Sequence, residues 1–252
     1  MLGACDKKDP ILPGERIPVF HDSGKLKEKD ARVGELIGKV VSPAATNSCT
    51  MDPGLRRGDG CVGGGDDKLY IMSDDNVLTR KSDGKIIFRG FPTAAKAGAA
   101  ALPIVSGKFI FIGLSTGEVL KINKDTGEIL WSADLGGRSL LTGGSLVSDI
   151  SVLRLSGGAL YAASLGGVLA RIDAANGDVV WTANIGTIHP IFISGRALAV
   201  IDSDKLIVLD SKDGVSVKLY ELSRDDYDTI ELDGEFWKVS NSRRSESVRV
   251  EE

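Results

Sequence analysis

The sequence predicts an all-β fold, a β-propeller of four-stranded antiparallel blades with about four blades present between residues 63 and 222. Three features carry that expectation. One pattern recurs four times, each copy closes on a turn glycine, and the segments flanking each turn are β-branched or aliphatic over five to seven residues, which suits strands and not helices. The turn glycines Gly84, Gly127, Gly177 and Gly214 lie 43, 50 and 37 residues apart. Those steps bracket the roughly 40–45 residues of a four-stranded propeller blade.

In chain order, the first copy is Lys68–Ser73, Asn76–Lys81, the turn at Ser82-Asp83-Gly84, and Lys85–Phe88. The second is Lys108–Gly113, Glu118–Asn123, Lys124-Asp-Thr-Gly127 and Glu128–Trp131. The third is Ala159–Ser164, Gly167–Asp173, Ala174-Ala-Asn-Gly177 and Asp178–Trp181. The fourth is Ala197–Asp202, Lys205–Asp210, Ser211-Lys-Asp-Gly214 and Val215–Lys218. Asp-Gly, Asn-Gly and Thr-Gly supply the positive φ of tight turns. A further strand precedes three copies, ending at Ser106-Gly107, Ser156-Gly157 and Ser194-Gly195, which makes four strands per unit. Such a sheet cannot bury its faces alone, so its neighbours must stack on it. Trp131 and Trp181 hold the same place, four residues after the turn glycine, with Phe88 and Lys218 as counterparts; their expected role is to fill the gap between adjacent blades.

Composition excludes several functions. A net charge of −4 with pI near 5.4 and no basic patch argues against nucleic acid. No run of about 18 apolar residues offers a membrane-spanning helix. The cysteines Cys5, Cys49 and Cys61 match no zinc spacing. Asn123-x-Asp125-x-Gly127 lacks the remaining ligands and the closing glutamate of a calcium loop, so it reads as a turn. Asp74-Asp75 and Asp225-Asp226 read as solvated loop, and His21 and His189 belong to no Ser-His-Asp arrangement. No catalytic residues, metal ligands or cofactor are expected.

The strings Ile122-Asn-Lys-Asp-Thr-Gly-Glu-Ile-Leu-Trp131 and Ile172-Asp-Ala-Ala-Asn-Gly-Asp-Val-Val-Trp181 resemble the repeat of pyrroloquinoline-quinone-type propellers. Within that superfamily the chain resembles the BamB-like outer-membrane assembly lipoproteins. Leu2-Gly-Ala-Cys5 is similar to a lipobox, and Asp9–Phe20 to the segment after the lipidated cysteine. Leu146–Ile150 with Gly158–Gly167 is similar to a mid-propeller blade. The resemblance implies a non-enzymatic periplasmic scaffold whose partner is an outer-membrane β-barrel assembly component (BamA-like). It implies partner contacts at the Ser-Asp-x-Asp loop, here Ser148-Asp149-Ile150-Ser151, with Ser151 in place of the second acid. The same resemblance implies a second contact loop at Ile86–Gly90, with Arg89 as its contact residue, and lipidation at Cys5. The alternatives are a quinone- or calcium-binding quinoprotein fragment, although no Cys-Cys pair is present, and a degraded homologue without activity.

The expected organisation is a lipobox-like N-terminus and linker over 1–45, an inserted repeat-like segment over 46–65, propeller repeats over 66–240, and a disordered tail over 241–252. Four blades against the family's eight make an incomplete ring with exposed edges an open alternative. Only Met1 precedes Leu2. With an upstream signal, Cys5 is lipidated and the protein sits on the periplasmic face of the outer membrane; without one it is cytoplasmic.

Overall fold

The computed structural model describes residues 69–92, 101–135, 149–164 and 166–250. These form five antiparallel sheets in chain order. The first holds β1 (Tyr70–Met72), β2 (Val77–Arg80) and β3 (Ile86–Arg89). The second holds β4 (Ile104–Ser106), β5 (Phe109–Gly113), β6 (Glu118–Asn123) and β7 (Ile129–Asp134). The third holds β8 (Ile150–Ser156), β9 (Ala159–Ser164), β10 (Val168–Asp173) and β11 (Val179–Ala183). The fourth holds β12 (Phe192–Ser194), β13 (Ala197–Asp202), β14 (Lys205–Asp210) and β15 (Ser216–Glu221). The fifth holds β16 (Thr229–Asp233), β17 (Phe236–Ser240) and β18 (Ser245–Arg249). Each sheet is a meander, every strand pairing with its sequence neighbour.

The fifth sheet lies beyond the four repeats read from the sequence and corrects the expected disorder after Ser240. β18 pairs with β17 from Ser245↔Ser240 to Arg249↔Phe236. Backbone pairing and the seating of Val248 against Trp237 order a segment whose composition looks like a tail. Ser223 ties β18 back to the preceding link, its hydroxyl donating to Glu246 Oε2 at 2.6 Å. Burial pushes the Glu246 carboxyl up, but the Ser223 bonds outweigh it and hold the group below its ordinary value.

The C-terminal half of each repeat follows one construction. Asn123, Asp173 and Asp210 each end the third strand and accept a turn amide on the side chain, from Asp125, Ala175 and Lys212 respectively. The glycine N–H then closes on the carbonyl four residues back, as Gly177 does on Asp173. The last strand of each of the first four sheets carries a one-residue register shift, at Ile87, Leu130, Val180 and Val217. This bulge places Phe88, Trp131, Trp181 and Lys218 in the same structural position.

Both tryptophans reach across to the next sheet. Trp131 donates its indole N–H to the Ala174 carbonyl at 3.3 Å, and Trp181 donates to Ser211 at 3.1 Å. Each ring covers a turn glycine: a Cβ on Gly177 would lie 2.8 Å from Trp131, and one on Gly214 2.5 Å from Trp181. With φ of +85° and +72°, these glycines supply both the left-handed turn and the space for the ring. A cation paired across from each indole strengthens the joint. Lys121 donates to the Ala174 carbonyl at 2.9 Å, and Arg171 to the Lys212 carbonyl at 3.2 Å. Phe88 packs in the cluster between the first two sheets but has no side-chain N–H to donate. At the fourth interface the indole comes from the other side: Trp237 of β17 meets Phe192 edge-on, with centroids 5.5 Å apart.

Strand alternation assigns each side chain to one interface. On β9, Leu160 and Ala162 face the second sheet, whereas Ala159, Tyr161 and Ala163 face the fourth. On β13, Leu198 and Val200 face the third sheet, whereas Ala197, Ala199 and Ile201 face the fifth. Burial on both faces explains why the inner strands are continuously apolar. Each fully buried aliphatic side chain contributes about 1.5–3 kcal/mol.

The two ends of the stack differ in chemistry. The first sheet turns Tyr70, Leu78 and Phe88 inward. Its other face presents Leu69, Ile71 and Ile86, with Ile71 50% exposed. Ile71 lies opposite Thr79, which lies opposite Ile86, so these residues share that face. The fifth sheet turns Ile230, Trp237 and Val239 inward. Its other face carries Thr229, Glu231, Lys238, Ser240, Ser245 and Ser247, with Phe236 the apolar exception. Among the described residues, no core cluster joins the first sheet to the fifth.

Candidate functional site

In these meanders the links between sheets emerge at the same end as the turns between second and third strands. Asn76, Arg89, Phe91, Ser115, Asp149, Ser151, Thr187 and His189 gather along that end, on neighbouring sheets. The opposite end carries the repeat turns at Gly84, Gly127, Gly177 and Gly214.

Asn76 is the organiser that sequence reading missed. It sits at φ +58°, a left-handed conformation that asparagine tolerates better than most residues. Its side chain is buried and makes three bonds. It donates to the Phe91 carbonyl at 2.7 Å and to Ser115 Oγ at 2.8 Å, and it accepts the Ser115 amide at 2.8 Å. The neighbouring Leu114 carbonyl accepts the Ile150 amide at 3.1 Å, and the Ile150 carbonyl accepts the Ala101 amide at 3.0 Å. One hydrogen-bonded belt therefore runs from the Arg89–Phe91 link through Leu114–Ser115 to Asp149–Ile150. It places the two contact loops of the resemblance at one end of the stack, on the first and third sheets, with the second sheet between them. An Asn-Val after an acidic pair was the available signal, but Asn76 was absorbed into the repeat as the first residue of a strand.

The individual residues differ in what they offer. Arg89 is exposed at the end of β3, and Phe91 is 87% exposed. Asp149 is only 4% exposed at the start of β8, unlike the gripping residue that the resemblance implies. Ser151 is the bulge residue of β8. Its hydroxyl lies 2.6 Å from the Thr187 carbonyl and 3.2 Å from that of Ala163, so it braces the next inter-sheet link. Asp149 thus lies beneath the surface and Ser151 is half-buried, whereas Arg89, Phe91 and Ile188 are exposed. Cys5 and the 1–45 and 46–65 segments lie outside the described residues. Asn123 spends its side-chain oxygen on the Asp125 and Thr126 amides, in keeping with a turn.

His189 and Asp228 occupy successive links at this end. Burial pushes the His189 imidazole below its ordinary value, opposed by the nearby Asp228 carboxylate. Burial pushes Asp228 up, His189 pulls it down and Asp226 adds a smaller upward push. The folded chain therefore favours neutral His189. As pH falls through the ordinary histidine range near 6.5, the unfolded chain takes up a proton that the folded chain resists, and stability declines. Asp228 acts oppositely at lower pH, where the folded state takes up the proton more readily. The thermal midpoint is expected to fall between pH 7.5 and 5.5, and His189→Gln to flatten that slope. An unchanged slope in the variant would assign the dependence elsewhere.

Comparison with known proteins places this architecture. The family described as outer membrane protein assembly factor BamB matches residues 22–185 and 65–220. The BamB of Yersinia pestis is 21% identical over 257 residues, covering 82% of this chain and 64% of its own length. That of Moranella endobia is 23% identical over 209 residues, covering 81% of this chain and 51% of its own length. The chain thus spans less than two thirds of the length of these relatives. Among solved structures, BamB from Moraxella catarrhalis superposes with a TM-score of 0.61 at 15% identity, over 71% of this chain and 57% of its own. A computationally designed protein, Ika8, superposes at 0.52 with 10% identity, over 72% of this chain and 55% of its own. With the family match running from residue 22 to residue 220, this chain belongs to the BamB family of outer membrane protein assembly factors.

Proposed function

We propose that the chain is a non-enzymatic scaffold in outer-membrane β-barrel assembly, binding a partner protein through the inter-sheet links at one end of its blades. The observation that carries this reading is the Asn76 belt, which ties the Arg89–Phe91 link through Leu114–Ser115 to Ile150 while leaving Arg89 and Phe91 exposed. An exposed aromatic beside an arginine on a braced loop has the composition of an interface anchor. In this reading Asp149 and Ser151 act as positioning residues beneath the contact surface. The partner is the BamA-like barrel component, and Cys5 is the anchor that holds the chain at the periplasmic face of the outer membrane.

The test is co-purification with that barrel component from detergent-solubilised membranes. Arg89→Glu and Phe91→Asp are expected to cut recovery at least tenfold while leaving the thermal midpoint unchanged. Phe236→Ser, at the opposite end of the stack, is expected to leave recovery unchanged. Cys5→Ala is expected to move the chain into the soluble fraction. Equal recovery of barrel component with both loop variants would refute the loop-end interface.

A further inference from the structure

Asn176-Gly177 is the one Asn-Gly pair in the sequence. At such a pair the glycine backbone nitrogen can attack the side-chain amide carbon that precedes it, because glycine has no side chain to block the approach. The bond that forms joins the Gly177 nitrogen to Asn176 Cγ, and the bond that breaks frees the Asn176 amide nitrogen. That nitrogen leaves as ammonia, carrying the proton of the Gly177 N–H. Water then opens the resulting cyclic imide at either carbonyl, giving aspartate or isoaspartate. The folded turn opposes each part of this reaction. The Gly177 N–H is held by the Asp173 carbonyl at 2.8 Å, so the attacking nitrogen keeps its proton. Asn176 Nδ2 donates to Asp178 Oδ2 at 2.7 Å, and Asn176 Oδ1 accepts the Asp178 N–H at 3.1 Å. The Trp131 ring lies against Gly177, and its indole, together with Lys121, pins the turn through the Ala174 carbonyl. Asn176 itself is exposed, so water is at hand whenever these holds release.

We propose that Asn176 is a deamidation site gated by the seam between the second and third sheets. While Trp131 holds the turn, the reaction is suppressed; each local opening of the seam exposes the pair to attack. The turn thereby keeps an irreversible record of how often that seam has opened. The two products differ in what they do to the seam. Asp83 and Asp213 stand in the same place in the first and fourth repeats, each accepting the amide two residues on at 3.1 Å. An aspartate at 176 therefore fits the turn, although it loses the Nδ2–H donated to Asp178. Isoaspartate does not fit, because it routes the backbone through the side chain and adds one carbon before Gly177. That extra length displaces Gly177 from beneath Trp131, where even an added Cβ would lie 2.8 Å from the ring.

The experiment incubates the full chain at mildly alkaline pH, folded and in urea, and follows the mass gain of deamidation at Asn176 by peptide mapping. Chromatography separates the aspartate and isoaspartate peptides. The unfolded chain is expected to react at least tenfold faster than the folded one. Two conservative variants then locate the gate. Trp131→Phe deletes the indole donor to Ala174, whereas Trp181→Phe deletes the matching donor to Ser211 in the next seam. Under folding conditions Trp131→Phe is expected to deamidate Asn176 at least threefold faster than the wild type, and Trp181→Phe at the wild-type rate. Circular dichroism checks that both variants keep the fold. Equal rates in the folded and unfolded wild type would overturn the proposal, since the turn would then give no protection. Equal acceleration in both variants would overturn it in favour of global unfolding as the gate. No reaction in urea would show that Asn176 is not a deamidation site.

Discussion

Trp131→Ala is expected to lower the stability of the chain by about 3–5 kcal/mol, the range for truncating a large buried aromatic side chain. Three losses coincide. The indole fills the seam between the second and third sheets beside Phe111, with ring centroids 5.9 Å apart. Its N–H donates to the Ala174 carbonyl. Beneath it, Gly177 has no side chain with which to refill the gap, and its φ of +85° strains any residue that does. Trp131→Phe separates the contributions, because it keeps most of the ring while deleting the donor; about 1 kcal/mol is the expected cost of the hydrogen bond. Urea unfolding followed by circular dichroism gives both values. A loss under about 1 kcal/mol for the alanine variant would mean that the seam collapses around the missing ring and that Lys121 alone can hold the joint.

Replacing Asn76 with alanine is expected to cost about 2–3 kcal/mol and to loosen the loop end specifically. Alanine at φ +58° carries the left-handed penalty, about 1 kcal/mol. The substitution also deletes the bonds that hold Phe91 and Ser115 together. Asn76→Gly removes the backbone strain but not the lost bonds, so its stability should fall between those of the wild type and the alanine variant. Amide exchange reads the location of the effect. The Ser115 N–H is expected to exchange at least tenfold faster in both variants, while amides of β13 and β14 change only with global stability. Unchanged Ser115 exchange would remove the belt from the account of the contact loops.

The repeat was legible because its chemistry is local. A positive φ needs glycine, a third strand ends on an Asx acceptor, and an indole four residues after the glycine lands after the bulge, so Gly127, Asp173 and Trp181 announce themselves. The cations paired with the indoles were missed, since Lys121 and Arg171 read as ordinary strand residues until the neighbouring turn carbonyls are in place. β18 was missed because Ser-Glu-Ser-Val-Arg offers one aliphatic residue; its order comes from the β17 edge and from Trp237, both supplied by tertiary pairing. The burial of Asp149 was equally illegible. It follows from the docking of Ile150 on Leu114, a contact between sheets that no spacing encodes.

The unequal outer faces also constrain how such a protein can change over generations. A repeat gained by duplication after β18 would have to strip water from Glu231 and Lys238 and from a row of serines before it could stack, so nearly every newborn copy there would be a burden. A repeat gained before β1 meets aliphatic residues at once, and one lost there uncovers only a surface of the kind every internal repeat already carries. A further blade therefore stacks more readily on the outward face of the first sheet than on that of the fifth, where Glu231 and Lys238 resist burial.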